Sequence, residues 1–338
     1  MSPTMLSVAF LALVSGATFA SEPSDNDSLP VYTRAAGVRG ALSTEGSDTM
    51  NNVMTLWAEG FRRYYPEVGA QIQGEGSATA PPALLAGRAV LAPMSRAMTT
   101  EELAAFKEEH GFEPTMLRTS IDMVAVYVHE DCPLTGLSLE QLDALFSSTR
   151  NGGATRELVT WGDLGITDPE WSGQQVSLHG RNAASGTHDF FAQNALFGGQ
   201  FKDSVVEQPD SASVVAAVAG DRFAMGYTAI GFDTEAVRTL SLAPRRGAEQ
   251  IKPEPASAYT GTYPLSRFLH VYVAHAPGSR MDPLVSEFVR YIFSREGQAD
   301  VVKEGFLPVS ATVAARELKK LGLMPDGRLI DVSVIQKG

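Results

Sequence analysis

The sequence lacks the features by which several classes of protein are recognised. It contains one cysteine, Cys132, so no intramolecular disulfide can form, and a chain of 338 residues does not need one. Its six histidines show no spacing typical of zinc ligands, and we expect neither a metal nor another cofactor. No apolar run beyond the N-terminal segment is long enough to predict a membrane-spanning helix.

Positive charge is also scarce. The chain has 27 Lys and Arg against 39 Asp and Glu, which gives a formal net charge of -12. A basic stripe is missing, and this excludes nucleic acids and anionic membrane surfaces as partners. Any anion that the protein binds must therefore be held by local geometry rather than by overall charge.

The N-terminus is typical of an exported protein. The run MLSVAFLALVSGATFA ends in small residues and is followed by polar and acidic ones, which predicts a signal peptide over residues 1–20. An uncleaved membrane anchor is the alternative, although the run is short for one. We expect a periplasmic protein in which residues 21–38, rich in Ser, Asp, Pro and Gly, form a flexible leader before the fold begins near Arg39.

Strand and helix patterns alternate along the rest of the chain. Two capping boxes predict helix starts, one at Thr99 with Glu102 and one at Ser138 with Gln141. The β-branched run IDMVAVYVHE is typical of a buried strand. This alternation predicts mainly parallel sheets with helices on both faces.

Three turns between a strand and a helix carry hydroxyl residues and glycine, namely GSDT, GEGSAT and RNAASGT. In open α/β sheets, ligands bind outside the carboxyl ends of the strands, and helix N-termini attract anions. The third turn also places Arg181, a planar fork of donors, ahead of Ser185, Gly186 and Thr187. In the alternative interpretation Ser185 or Thr187 only caps its helix, and Arg181 is a surface charge. The repetition of the pattern favours several helices directed at one anion.

Taken together, these motifs resemble the phosphate-binding proteins of ABC-type phosphate uptake systems, which are periplasmic binding proteins of the two-crossover type. The segments that carry the resemblance are GSDTMNNVMTLWAEGF, QIQGEGSATAPPALLAGRA with PMSRAM, TWGDLG, HGRNAASGT and QPDSASVVAAVAGDRFAMGYTAIGF. The resemblance implies a two-domain α/β fold of mainly parallel sheets flanked by helices, with two crossing strands as a hinge. We expect domain I at 39–120 and 266–338, and domain II at 121–265.

The resemblance also implies a monomeric receptor that is not an enzyme and that presents inorganic phosphate to the membrane subunits of an ABC permease. The phosphate ligands that it implies are Thr49, the backbone of Met50, Ser77, Ser95, Arg181, Ser185, Gly186 and Thr187.

The chain departs from the usual family pattern at two acidic positions. The pattern has a carboxylate in the segment matching LAPMSRAM, where this chain has Ser95 and Arg96, and another where it has Ala183. In the family a carboxylate accepts the proton of hydrogen phosphate, which sulfate lacks. Asp48 and Asp122 are the possible replacements, although Asp48 could instead cap its helix and Asp122 could form a hinge salt bridge.

Three other functions stay open. The first is a receptor for another tetrahedral oxyanion, such as sulfate or molybdate. The second is an enzyme that uses Ser185, His188 and Asp189, although an elbow of the G-x-S-x-G kind is missing. The third is an adhesive or signalling protein that has kept the receptor fold, since a fold does not determine a function.

Overall fold

The computed structural model describes residues 28–232 and 234–323, in which strands and helices alternate as predicted. The strands are β1 Ala41–Glu45, β2 Gly69–Gln73, β3 Leu91–Met94, β4 Thr115–His129, β5 Gly136–Ser138, β6 Ser177–Arg181, β7 Val206–Gln208, β8 Ala224–Ala229, β9 Val237–Thr239, β10 Ser241–Ala243, β11 Ser266–Val273 and β12 Leu307–Pro308. The helices are α1 Asn51–Arg62, α2 Ala80–Leu85, α3 Thr100–His110, α4 Leu139–Phe146, α5 Pro169–Ser172, α6 Gly186–Asn194, α7 Ser211–Gly220, α8 Pro255–Tyr259, α9 Pro283–Ile292, α10 Arg295–Lys303 and α11 Ala311–Lys320.

The strands form one large sheet and one small one. The large sheet has the order β2-β1-β3-β11-β4-β8-β6-β7, and β9 and β12 pair with β4 outside this path. At one end β1 is parallel to β2 and β3, and at the other end β6 is parallel to β7 and β8. The central strands β11 and β4 are antiparallel to each other, and β11 is also antiparallel to β3 and β4 to β8. The two parallel groups are therefore joined through β4 and β11.

The two joining strands bring a carboxylate and a guanidinium into register. Strand β11 pairs with β4 from Ser266 opposite Met123 to Val273 opposite Thr115, and this places Arg267 opposite Asp122. Beyond Met123, β4 leaves β11 and continues alongside β8. The pair of Arg267 and Asp122 therefore lies where β4 passes from one parallel group to the other.

Each parallel group has its own hydrophobic core. The first core contains Trp57, Phe61 and Phe288, and the second contains Trp161, Trp171 and Phe191, all of them at most 2% exposed. Smaller clusters lie beside them, one around Phe106 under α3 and one around Val215 and Val218 on α7. We call the elements built on the first core the first lobe and those on the second core the second lobe. The exact domain boundaries stay a prediction.

Local sequence signals determine several helix starts. Thr99 accepts a hydrogen bond from the backbone N–H of Glu102, whose side chain bonds back to the Thr99 N–H. Ser138 and Gln141 form the same reciprocal pair at the start of α4. Both predicted capping boxes are confirmed, because each satisfies backbone donors that the first helical turn leaves unpaired.

The predicted flexible leader is wrong for the part of it that the structure describes. Leu29 and Tyr32 are 2% and 5% exposed and belong to the first core. The Tyr32 ring packs edge-on against Tyr64 and Tyr291, at centroid distances of 4.9 and 5.4 Å. Its hydroxyl donates to Glu287 Oε2 at 2.8 Å. Long-range aromatic packing therefore overrides the polar composition of this segment.

The predicted signal peptide, residues 1–20, lies outside the described residues. Within residues 28–232 and 234–323, no helix combines the length and the apolar character needed to cross a membrane.

The packing of Tyr32 predicts a large effect on stability. We expect Tyr32→Ala to lower the free energy of unfolding by about 3–5 kcal/mol, since it removes a buried ring and leaves a cavity. The neighbouring residue Val31 is 57% exposed, so Val31→Ala is the matched control and should change the free energy by at most about 0.5 kcal/mol. Urea unfolding followed by circular dichroism measures both variants. Equal small effects would show that this segment does not support the fold.

Candidate anion-binding site

Four turns at strand ends converge between the lobes. They follow β1, β2, β3 and β6 and carry the residues that the sequence assigns to a ligand. All of these residues are buried. Seven of them are at most 1% exposed, namely Thr49, Met50, Ser77, Ser95, Arg181, Ser185 and Thr187, and Gly186 is buried as well. Turns that are far apart in sequence thus form a single polar cluster.

Hydroxyl groups of this cluster contact each other both between the two lobes and within the first lobe. Thr49 Oγ1 of the first lobe lies 3.0 Å from Thr187 Oγ1 of the second. Ser77 Oγ lies 3.1 Å from Ser95 Oγ and accepts a hydrogen bond from the Ser95 backbone N–H at 2.9 Å. Buried hydroxyls each carry one proton and accept through oxygen, so they can turn their protons towards an oxyanion.

Glycine is required where the third turn meets the first lobe. A Cβ at Gly186 would lie 2.4 Å from Ser77 Oγ and 2.7 Å from Ser95 Oγ, which is closer than carbon and oxygen can approach. The backbone also joins the lobes here, because Ala78 N–H donates to Ala184 O at 3.1 Å. The N-terminus of α6 is thereby held directly against Ser77 and Ser95.

In the third turn Ser185 caps a helix, whereas Arg181 is buried. Ser185 is the N-cap of α6, and its Oγ accepts from the Thr187 N–H at 3.1 Å, so the capping interpretation holds for this residue. Arg181 is 1% exposed, so it is not a surface charge. A buried cation next to the positive end of a helix is an arrangement that attracts anions.

Arg181 is held by partners from both lobes. One Nη forms an ion pair with Asp48 Oδ1, and Pro209 O accepts from the same nitrogen at 3.1 Å. The other Nη donates to Ser211 Oγ at 3.1 Å. Its Nε is buried without a hydrogen-bond partner among the described residues. Three of the five N–H groups of Arg181 are used in these bonds, so its Nε–H and one N–H of Nη1 are left as donors within the described residues.

Asp48 pairs with Arg181 rather than capping α1. The N-cap of α1 is Met50, and no side chain among the described residues forms a capping hydrogen bond there. Burial raises the pKa of the Asp48 carboxyl, and the adjacent Arg181 opposes this effect. Asp48 therefore supplies a carboxylate beside the arginine from the opposite lobe.

Asp122 forms the salt bridge across the hinge, with Arg267 as its partner. Arg267 Nε and Nη2 donate to Asp122 Oδ2 at 2.8 and 2.7 Å. Asp122 is fully buried, and its Oδ1 has no hydrogen-bond partner within the described part of the chain. Burial raises the pKa of the Asp122 carboxyl, whereas the guanidinium lowers it.

Arg267 is a residue of this cluster that the sequence interpretation missed. It is 5% exposed, and it donates from Nη1 to Ser95 O and from Nη2 to Thr187 Oγ1, both at 2.8 Å. The available signal was a lone arginine at the start of an apolar strand, opposite an aspartate in the other long strand. That signal depends on strand register, which a single sequence does not provide.

Arg96, which stands in the segment where the family pattern has a carboxylate, pairs with two acids. It donates to Glu102 of its own lobe and to Asp189 Oδ2 on α6, each at 2.8 Å. This group lies at the edge of the cluster, since the Asp189 side chain is 40% exposed. Arg96 thus adds a second ion pair between the lobes.

The arrangement gives no support to the enzyme alternative. Ser185 Oγ accepts a hydrogen bond from its own helix, and His188 Nδ1 pairs with Asp189 Oδ1 at 3.1 Å. The His188 ring packs against the Phe201 ring at a tilt of 33°. A nucleophilic serine needs a base within hydrogen-bond reach and a third group that orients the base. The contacts of Ser185 and His188 are instead those of a helix cap and a packed ring.

Known proteins match this chain over most of its length. A family model described as a PBP superfamily domain matches residues 32–296. The phosphate-binding protein PstS of Pseudomonas aeruginosa is 46% identical over 319 residues, which cover 94% of this chain and 98% of that protein. The phosphate-binding protein PstS of Bacillus subtilis is 26% identical over 93% of this chain and 94% of its own length.

A solved structure supports the fold independently. The ABC-type phosphate transport receptor of Vibrio cholerae aligns with a TM-score of 0.62 at 22% identity and covers 79% of this chain and 100% of the receptor. This similarity confirms the predicted two-domain α/β architecture. With the close similarity to PstS over nearly its whole length, the chain belongs to the phosphate-binding proteins of ABC-type phosphate uptake systems, within the PBP superfamily.

Proposed function

We propose that this protein is a periplasmic receptor that binds one inorganic phosphate ion between its lobes and delivers it to the membrane subunits of an ABC permease. The observation that carries the proposal is the convergence of buried hydroxyls and Arg181 from both lobes on one point. The relatives that match most of the chain are named as phosphate-binding proteins.

The chemistry of the cluster suits an oxyanion that has lost its water. Hydroxyl groups, the N-terminus of α6 and a guanidinium all offer hydrogen-bond donors, and several of them approach each other within 3.1 Å. A charge-assisted hydrogen bond contributes about 1.5–3 kcal/mol, so a few such bonds reach micromolar affinity after the cost of closing the lobes. Local hydrogen-bond donors can therefore hold an anion although the chain has a net negative charge.

Two further parts of the proposal concern location and chemistry. We infer from the predicted N-terminal signal peptide that the mature protein is periplasmic and acts there as a monomer. The receptor releases phosphate unchanged, because Ser185 and His188 have the structural contacts described above.

Titration with phosphate tests the proposal directly. Protein that has been stripped of bound anions should bind one phosphate per chain with micromolar affinity or better, and its melting temperature should rise. Isothermal calorimetry and thermal unfolding measure these effects, and phosphate recovered after the titration should be unaltered. The proposal fails if millimolar phosphate produces neither heat nor a shift in melting temperature.

Arg181 should contribute more to affinity than any surface arginine. Arg181→Ala should weaken phosphate binding well beyond about tenfold, and Arg181→Lys should restore only part of it, because an ammonium group lacks the planar fork. Arg88 is a matched control, since its side chain is 56% exposed, and Arg88→Ala should leave the affinity unchanged. If calorimetry gives Arg181→Ala and Arg88→Ala the same affinity as the unaltered protein, Arg181 is not a ligand.

A carboxylate at the site should also accept a hydrogen bond from the proton of hydrogen phosphate. We propose Asp122 as the acceptor, with Asp48 as the alternative. The buried Oδ1 of Asp122 has no partner among the described residues, and a proton of hydrogen phosphate would satisfy it. Sulfate carries no proton at neutral pH and would face this oxygen with a lone pair, which costs several kcal/mol in a closed cleft.

Competition with sulfate distinguishes the two acids. The unaltered protein should prefer phosphate over sulfate by at least about a hundredfold, and Asp122→Asn should reduce the preference to within about tenfold. Asp48→Asn should leave the preference intact if Asp122 is the acceptor. If only Asp48→Asn reduces the preference, Asp48 is the acceptor. If both variants still exclude sulfate, neither acid is the acceptor.

A further inference from the structure

Arg267 contacts three parts of the molecule at once. Its Nε and Nη2 hold Asp122 on β4, its Nη1 donates to Ser95 O at the end of β3, and its Nη2 donates to Thr187 Oγ1 on α6. The guanidinium also lies over the ring of Phe190, at 5.1 Å from its centroid. A group that is fixed on so many sides cannot reorient without breaking several bonds.

The contact with Thr187 determines how that hydroxyl is used. A guanidinium has only donors, so Thr187 Oγ1 must accept the bond from Arg267. The single Thr187 proton therefore points to a partner on another side. The Thr49 hydroxyl lies 3.0 Å from Thr187 Oγ1, within the predicted phosphate site, and either of the two hydroxyls can donate in this pair.

The position of Arg267 also links its contacts to closure. Ser95 belongs to the first lobe and Thr187 to the second, while Arg267 lies on a strand that joins them. Moving the lobes apart separates Ser95 from Thr187, so one guanidinium can hold both only when the lobes are together. The same side chain thus contacts the hinge, both lobes and the site.

We propose that Arg267 is a positioning residue of the phosphate site, which bridges the closed lobes through Ser95 O and Thr187 Oγ1 and directs the Thr187 hydroxyl as a donor to the bound anion. This inference rests on the proposed function and names a residue that acts through Thr187. It adds a second buried arginine to the site, with a role that differs from the direct contact proposed for Arg181.

A double-mutant cycle on phosphate affinity tests this role. Arg267→Lys keeps the charge next to Asp122 but loses the fork, and it should weaken phosphate binding about tenfold in the unaltered background. In a Thr187→Val background the hydroxyl is already absent, so Arg267→Lys should weaken phosphate binding by at most about threefold. Calorimetry with inorganic phosphate supplies all four affinities.

Two controls separate positioning from general damage to the fold. Arg118 lies on β4, the strand that pairs with β11, and its guanidinium lies over the Phe268 ring. Arg118→Lys should not change phosphate affinity. If Arg267→Lys fails to fold, Arg267→Gln combined with Asp122→Asn removes both charges together and leaves no unpaired buried ion. That variant should bind phosphate more weakly than Asp122→Asn alone, and equal affinity would overturn the proposal.

The outcomes of the cycle are distinct. Equal losses in the two backgrounds would show that Arg267 does not act through Thr187, and unchanged affinity of Arg267→Lys would show that it does not position the site. Either result overturns this inference while the phosphate binding of the unaltered protein stands. A lack of phosphate binding by the unaltered protein would instead overturn the proposed function, and this inference with it.

Discussion

Two guanidinium groups, those of Arg181 and Arg267, are buried where the lobes meet, and the arrangement of the site follows from the need to pair them. An unpaired buried charge costs roughly several kcal/mol, so each arginine requires a carboxylate. Asp48 pairs with Arg181 from the opposite lobe, and Asp122 pairs with Arg267 across two strands of the hinge. Because Asp48 and Arg181 lie on different lobes, the pairing of this cation and the meeting of the lobes are one event.

The sequence predicted those parts of the fold that depend on neighbouring residues. The capping boxes at Thr99 and Ser138 form because both partners lie within one helical turn. The alternation of strands and helices follows in the same way from local periodicity. The hydroxyl-bearing turns were also identified, since the carboxyl ends of parallel strands share one edge of a sheet. Their convergence then followed from the fold class.

The features that the sequence did not predict all depend on contacts between distant residues. Arg267 meets Asp122 only through the register of β4 and β11. The composition of the leader predicts flexibility, whereas Tyr32 packs on the rings of Tyr64, which follows α1, and Tyr291 of α9. The sequence does not predict whether Asp48 caps a helix or pairs with Arg181, because the arginine lies 133 positions away in the chain. Pairing of this kind requires the tertiary structure.

The hydrogen bond from Ala78 N to Ala184 O joins the lobes through main-chain atoms alone. Side-chain substitution at either position leaves both atoms in place, whereas the contacts that we assign to ligand selection are made mostly by side chains. Substitution of nearby Gly76 would disturb this bond, because a Cβ there would lie 2.4 Å from Ala184 O. During evolution, the residues that select the ligand can therefore diverge, as Arg96 and Ala183 diverge from the family pattern. The main-chain bond between the lobes does not depend on which side chains those positions carry.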